Sequence, residues 1–133
     1  MSTPVRISRY IYLGLAWLFV IGILAQVYFV GMTLFARYGM LPVHVGVGHM
    51  LGILVLLMVI LMYVGKLPRP TKIKVWVMFG VYILQAEVFA GIRRTMPIPA
   101  AFHPVLALVI FWLAMTLALE ARAFIREQTA PAA

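Results

Sequence analysis

The sequence predicts an all-α membrane protein, with four transmembrane helices in an up-down-up-down bundle built from two similar helical hairpins. Three observations predict it. The 133 residues are 65% hydrophobic and 11% charged, with a mean hydropathy of +1.09. That is more apolar surface than a soluble domain of this size can hide. Four apolar runs each reach about 18 residues or more, enough for a hydrocarbon core of roughly 30 Å. The connections between them are short, so neighbouring helices run antiparallel.

The first span covers about residues 10–36, after Arg6 and Arg9. No small-residue cleavage site follows it at signal-peptide distance, and the run is long enough to span, so it is expected to be retained. A break at Arg37-Tyr38-Gly39-Met40-Leu41-Pro42 leads into the second span, about 43–64. The polar, proline-rich turn from Lys66 to Lys72 precedes the third, about 75–92. Arg93 to Pro99 closes it, and the fourth covers about 100–119, with helix continuing toward Glu127. Residues 1–127 are expected to form one domain, and Gln128–Ala133 a disordered tail.

The net charge of +8 does not point to nucleic acid, because the basic residues sit at the ends of apolar runs. One membrane face takes Arg6, Arg9, Lys66, Arg69, Lys72, Lys74, Arg122 and Arg126; the other takes Arg37, Arg93 and Arg94. The positive-inside rule then puts both termini in the cytoplasm, with a bacterial cytoplasmic membrane as the expected location. The expected partners are the lipid bilayer and other membrane subunits.

Several chemistries are excluded. There is no cysteine, which removes disulfides, iron–sulfur clusters, thiolate zinc sites and covalent c-type haem attachment. Aspartate is absent and the glutamates are Glu87, Glu120 and Glu127, too few for a two-carboxylate hydrolase. Nucleotide-binding glycine motifs are missing as well. An electron carrier or an accessory subunit is expected rather than a stand-alone enzyme.

The two hairpins resemble each other. Phe29-Val30-Gly31 matches Phe89-Ala90-Gly91, and Gln26 and Gln85 precede these tripeptides at nearly equal distance. His44 and His103 follow the glycines by 13 and 12 residues, and Pro42 and Pro99 open the next spans. A repeat of this kind places His44 and His103 at matching depth on the parallel, diagonal second and fourth helices.

Histidine within a membrane span is expensive and rarely idle. Neutral imidazole is a good iron ligand, and two from facing helices would hold a six-coordinate haem b. His49 lies five residues beyond His44, roughly 7–8 Å deeper and about 140° around the helix. Both therefore cannot face one iron, and either could pair with His103. Gly48 and Gly52 follow at four-residue spacing and would leave a groove beside His44, or would serve helix packing alone. Arg37, Arg93 and Arg94 could bind propionates bidentately or anchor to lipid phosphates. Without a cofactor, the histidines would only hydrogen-bond water, headgroups or carbonyls. Gln26 and Gln85 are expected to join helices by hydrogen bonds, or to hold a histidine tautomer from its other nitrogen, or to contact a quinone carbonyl. Glu87 would pair with an arginine or a histidine, or relay protons. No span shows a strong interruption at the midplane, which weighs against a transporter.

The stretches Gln26-Val27-Tyr28-Phe29-Val30-Gly31, His44-Val45-Gly46-Val47-Gly48-His49 and Phe102-His103-Pro104-Val105-Leu106-Ala107 resemble an uncharacterised family of small four-helix integral membrane proteins. That resemblance implies the fold and little more. The layout is also similar to b-type cytochromes, in which paired histidines on parallel helices of a four-helix bundle hold haem; with three histidines, one such haem is the most this chain could hold. The leading expectation is a haem-b electron carrier ligated by His103 and either His44 or His49. The alternative is an accessory subunit of a respiratory or photosynthetic complex, holding a (bacterio)chlorophyll, quinone or lipid.

Overall fold

Proline is the second residue of all four long helices, in the first turn, where a missing N–H costs nothing. The computed structural model describes residues 2–129, with side chains as far as Arg126. Helix α1 is Thr3–Phe35, α2 is Leu41–Val64, α3 is Arg69–Ile92 and α4 is His103–Thr129. A single helical turn, Pro97–Ala100, leads into α4. Arg37 and Lys66, just past the ends of α1 and α2, take left-handed backbone conformations with φ of 59° and 50°. The Leu67 and Lys66 amides donate back to the Met62 and Tyr63 carbonyls, the hydrogen-bond pattern of a Schellman turn.

The helices run beyond the apolar stretches. Arg6 and Arg9 lie inside α1, not before it. Arg9 is buried; its Nε donates to the Gly65 carbonyl at 2.6 Å and its guanidinium lies 4.3 Å from the Phe124 ring centroid. It thus caps the C-terminal end of α2, where a cation is favoured. The second half of the basic turn before the third span, from Arg69, is likewise helical: Thr71 and Lys74 both donate to the Glu120 carboxylate on α4. α4 continues through Thr129, so Gln128 is helical; the remainder of the expected tail, residues 130–133, lies outside the described residues.

α1 packs on α2, α2 on α3, α3 on α4 and α4 on α1, which leaves α2 and α4 on one diagonal. All four spans are long and apolar enough to cross a membrane. Large apolar residues such as Leu18, Leu24, Ile53 and Trp112 point outward. This is an integral, multi-pass membrane protein, in which packing and interhelical hydrogen bonds replace the hydrophobic effect as the force between helices.

The repeat is built into the packing. A shift of 59 residues carries Gln26 onto Gln85 and His44 onto His103. The same shift carries the buried Tyr12, Ala16, Phe19 and Ile23 of α1 onto the buried Thr71, Val75, Met78 and Tyr82 of α3. It carries Leu51, Val55, Met58, Val59 and Met62 of α2 onto Ile110, Ala114, Leu117, Ala118 and Ala121 of α4, all buried. The residues differ at these positions and often trade size: Ala16 against Val75, Met62 against Ala121. The bundle is therefore two hairpins related by a pseudo-twofold axis along its length.

One irregularity breaks this relation. Between Leu84 and Phe89, α3 widens into a π-helical turn. Gln26 precedes Gly31 by five residues and Gln85 precedes Gly91 by six, so the second hairpin carries one extra residue within this turn. A π-bulge is how a helix absorbs a single insertion. The third span stays helical throughout, with this local widening toward its histidine end rather than a break at the midplane. The following connection is one residue shorter, which restores the spacing of 18 residues from glutamine to histidine in both halves.

Candidate functional site

The pseudo-twofold axis brings His44 and His103 together from the diagonal helices α2 and α4. Their ring centroids are 6.0 Å apart and the planes are inclined by 59°. Both residues are half-buried at the end of the bundle away from the termini. Each ring is held in an equivalent way by the other helix of its own hairpin. His44 Nδ1 lies 3.3 Å from the Gln26 backbone carbonyl. The Gln85 backbone carbonyl is the corresponding acceptor for His103. A ring nitrogen that donates to a carbonyl leaves the other nitrogen with its lone pair free, which is how proteins orient histidines as ligands.

Gln26 joins α1 to α2 by a hydrogen bond, the first of its expected roles. The main chain of Gln26, not its amide, meets the imidazole. The amide Nε2 donates instead to the His44 carbonyl, at 2.9 Å. The Oε1 atoms of Gln26 and Gln85 are both buried without a hydrogen-bond partner. In hydrocarbon such an atom is costly, and here two occur at symmetric positions beside the histidine pair.

His49 belongs to a different place. It is exposed on the side of α2 that faces α3; its Nδ1 is 2.9 Å from the Val45 carbonyl and its Nε2 3.8 Å from Glu87 Oε1. The structure thus pairs His44, not His49, with His103. Glu87 lies in the π-helical turn and meets a histidine rather than Arg94. The two glycines do not leave an open slot along His44. A Cβ on Gly48 would come within 2.9 Å of Gln26 Nε2, and one on Gly52 within 3.1 Å of the Tyr82 ring. Arg37, Arg93 and Arg94 are exposed at the histidine end, and Arg93 turns back onto the Ala90 carbonyl.

Sequence reasoning missed Tyr82. Its hydroxyl donates to the Gly48 carbonyl and its ring packs 6.2 Å from Phe19 across the other diagonal. Together with Phe79, it walls a groove of about 270 Å³ between α2 and α3 that has His49 and Glu87 at one end. A tyrosine in an apolar run gives no sign of such a role. Among the described residues, no group of three or more His, Cys, Asp and Glu side chains is placed to hold a metal ion. Any metal would have to be held by the two imidazoles alone, or arrive inside a ring that supplies the other ligands.

Residues 26–92 match the model of a family of unknown function, DUF6220. The matched stretch contains Gln26, His44, His49, Gln85 and Glu87 and ends before His103. No curated protein and no solved structure matches the chain. The match covers half of the sequence, and the chain belongs to this family.

Proposed function

Starting from that membership, we propose that this DUF6220 protein binds one haem b between His44 and His103 and serves as a membrane electron carrier. The observation that carries the reading is the histidine pair itself. Two metal–nitrogen bonds of about 2 Å, added to the two ring radii, set the centroids of imidazoles on one ion roughly 6 Å apart. The rings stand 6.0 Å apart. Their carbonyl tethers to Gln26 and Gln85 fix the orientation of both imidazoles. The buried, unpartnered amide oxygens are a further sign of a guest at this end of the interior.

When bound, the haem supplies one-electron redox chemistry. The chain's own share is to orient the two ligands, exclude water by its apolar walls, and offer Arg37, Arg93 and Arg94 near the same end to acidic groups. Counting charges, we place that end outside a bacterial cytoplasmic membrane, with both termini inside.

The experiment is a reduced-minus-oxidised spectrum of protein purified in detergent from a haem-replete host. A b-type band is expected, lost in His44→Ala and in His103→Ala and retained in His49→Ala. Absence of haem in the unaltered protein, or a band that survives loss of His44, overturns the assignment.

A further inference from the structure

We propose that the seam between α2 and α3 binds a quinone or quinol headgroup, hydrogen-bonded to His49 and Glu87, with its apolar tail running along Leu56 toward the middle of the membrane. This goes beyond the haem reading and does not depend on it.

The first ground is an unmet electrostatic need. Glu87 is more than half exposed on a membrane-spanning helix, and its neighbour His49 is 3.8 Å away, too far for a hydrogen bond. An acid and an imidazole facing hydrocarbon in this state are costly and mark functional sites. A single oxygen from a ligand can reach both: with Nδ1–H given to the Val45 carbonyl, an imidazolium donates its Nε2–H to a ligand carbonyl, or a ligand hydroxyl donates to the neutral Nε2 or to the carboxylate. A quinone offers the first and a quinol the second. Phosphate headgroups fit poorly, because Glu87 would repel them.

The second ground is shape and polarity. The groove opens sideways to the region lipid occupies, and its walls are apolar and aromatic, Phe79 and Tyr82 among them. Its polar end lies toward the histidine end of the bundle; its apolar end, at Leu56 and Phe79, lies toward the middle. At about 270 Å³ it falls just below the range of about 300–1,000 Å³ of whole-ligand pockets. That suits one ring with the tail left in lipid.

The third ground is an internal control. The pseudo-twofold relation generates a second, more closely packed seam, between α4 and α1, with different residues at the corresponding positions. The shift of 59 residues replaces His49 by Leu108, Gly52 by Phe111, Tyr82 by Ile23 and Glu87 by Tyr28. Helix packing alone is therefore satisfied by a seam filled with Phe111. The seam between α2 and α3 instead has glycine packed under the Tyr82 ring, an acid and an imidazole at its mouth, and the π-helical turn that carries Glu87.

Trp76 supplies a reporter: its ring lies 5.8 Å from that of Phe79. In nanodiscs of neutral phospholipid, a short-tailed benzoquinone should quench this fluorescence saturably. His49→Leu should weaken quinone binding tenfold or more, and Glu87→Gln should weaken binding of the matching quinol, read by its displacement of the quinone, by as much, while helicity and elution volume stay unchanged; both positions are exposed. Protein from a haem-limited host should bind as well as protein from a haem-replete one, so failure of the haem assignment leaves this test intact. Quenching that rises linearly without saturation, equal affinity in both variants, or equal displacement by a phospholipid or a sterol would overturn the proposal.

Discussion

Replacing Gly48 by alanine gives the sharpest test of how the histidine end is held together. The added Cβ would lie 2.9 Å from Gln26 Nε2, so the amide must move and its bond to the His44 carbonyl is lost. Interhelical hydrogen bonds within membranes average about 0.6 kcal/mol and reach about 1.7. Against this, glycine to alanine in a helix interior gains up to about 1 kcal/mol. The two effects separate in a double-mutant cycle with Gln26→Leu. In the leucine background the bond is already absent, and Gly48→Ala should be neutral or stabilising. In the unaltered background it should be less favourable by about 0.6–1.7 kcal/mol. Reversible unfolding by SDS in mixed micelles measures all four proteins. Equal effects of Gly48→Ala in both backgrounds would refute the reasoning, since alanine would then fit without disturbing the amide.

Other outcomes follow from the same coordinates. Arg9→Met leaves the Gly65 carbonyl at the end of α2 without its charged donor and should cost about 1.5–3 kcal/mol in the same unfolding assay, with Arg9→Lys intermediate. Lys66→Gly relieves a left-handed conformation that costs a residue with a side chain roughly 1–2 kcal/mol, and should stabilise by somewhat less because glycine is freer when unfolded. Glu120→Gln weakens the ties from Thr71 and Lys74; because Lys74 and Glu120 are about one-third exposed, the loss should stay within about 1 kcal/mol and shrink as salt is raised.

The sequence carries the spans plainly, because lipid demands long apolar runs and punishes charge within them. Their ends are harder to read. Arg6 and Arg9 look like flanking charges, and only the α2 terminus, 56 residues later in the chain, shows why Arg9 belongs inside a helix. The matching depth of His44 and His103 follows from counting along the repeat. The choice between His44 and His49 does not, because it depends on how α2 is rotated in the bundle. The π-helical turn was hidden in plain view: the glutamine-to-glycine spacing differs by one residue, but hydropathy registers neither an insertion nor its direction. Tyr82 is legible only as an apolar residue, since its hydroxyl acceptor lies 34 positions earlier in the chain.

The fusion of two hairpins into one chain has a genetic consequence. In a homodimer of separate hairpins, every mutation is written twice and both seams change together. A polar pair introduced at one interface would burden the other with the same charges in lipid. With both hairpins on one chain, position 111 can carry a phenylalanine while its counterpart, position 52, carries a glycine that lets the Tyr82 ring close on α2.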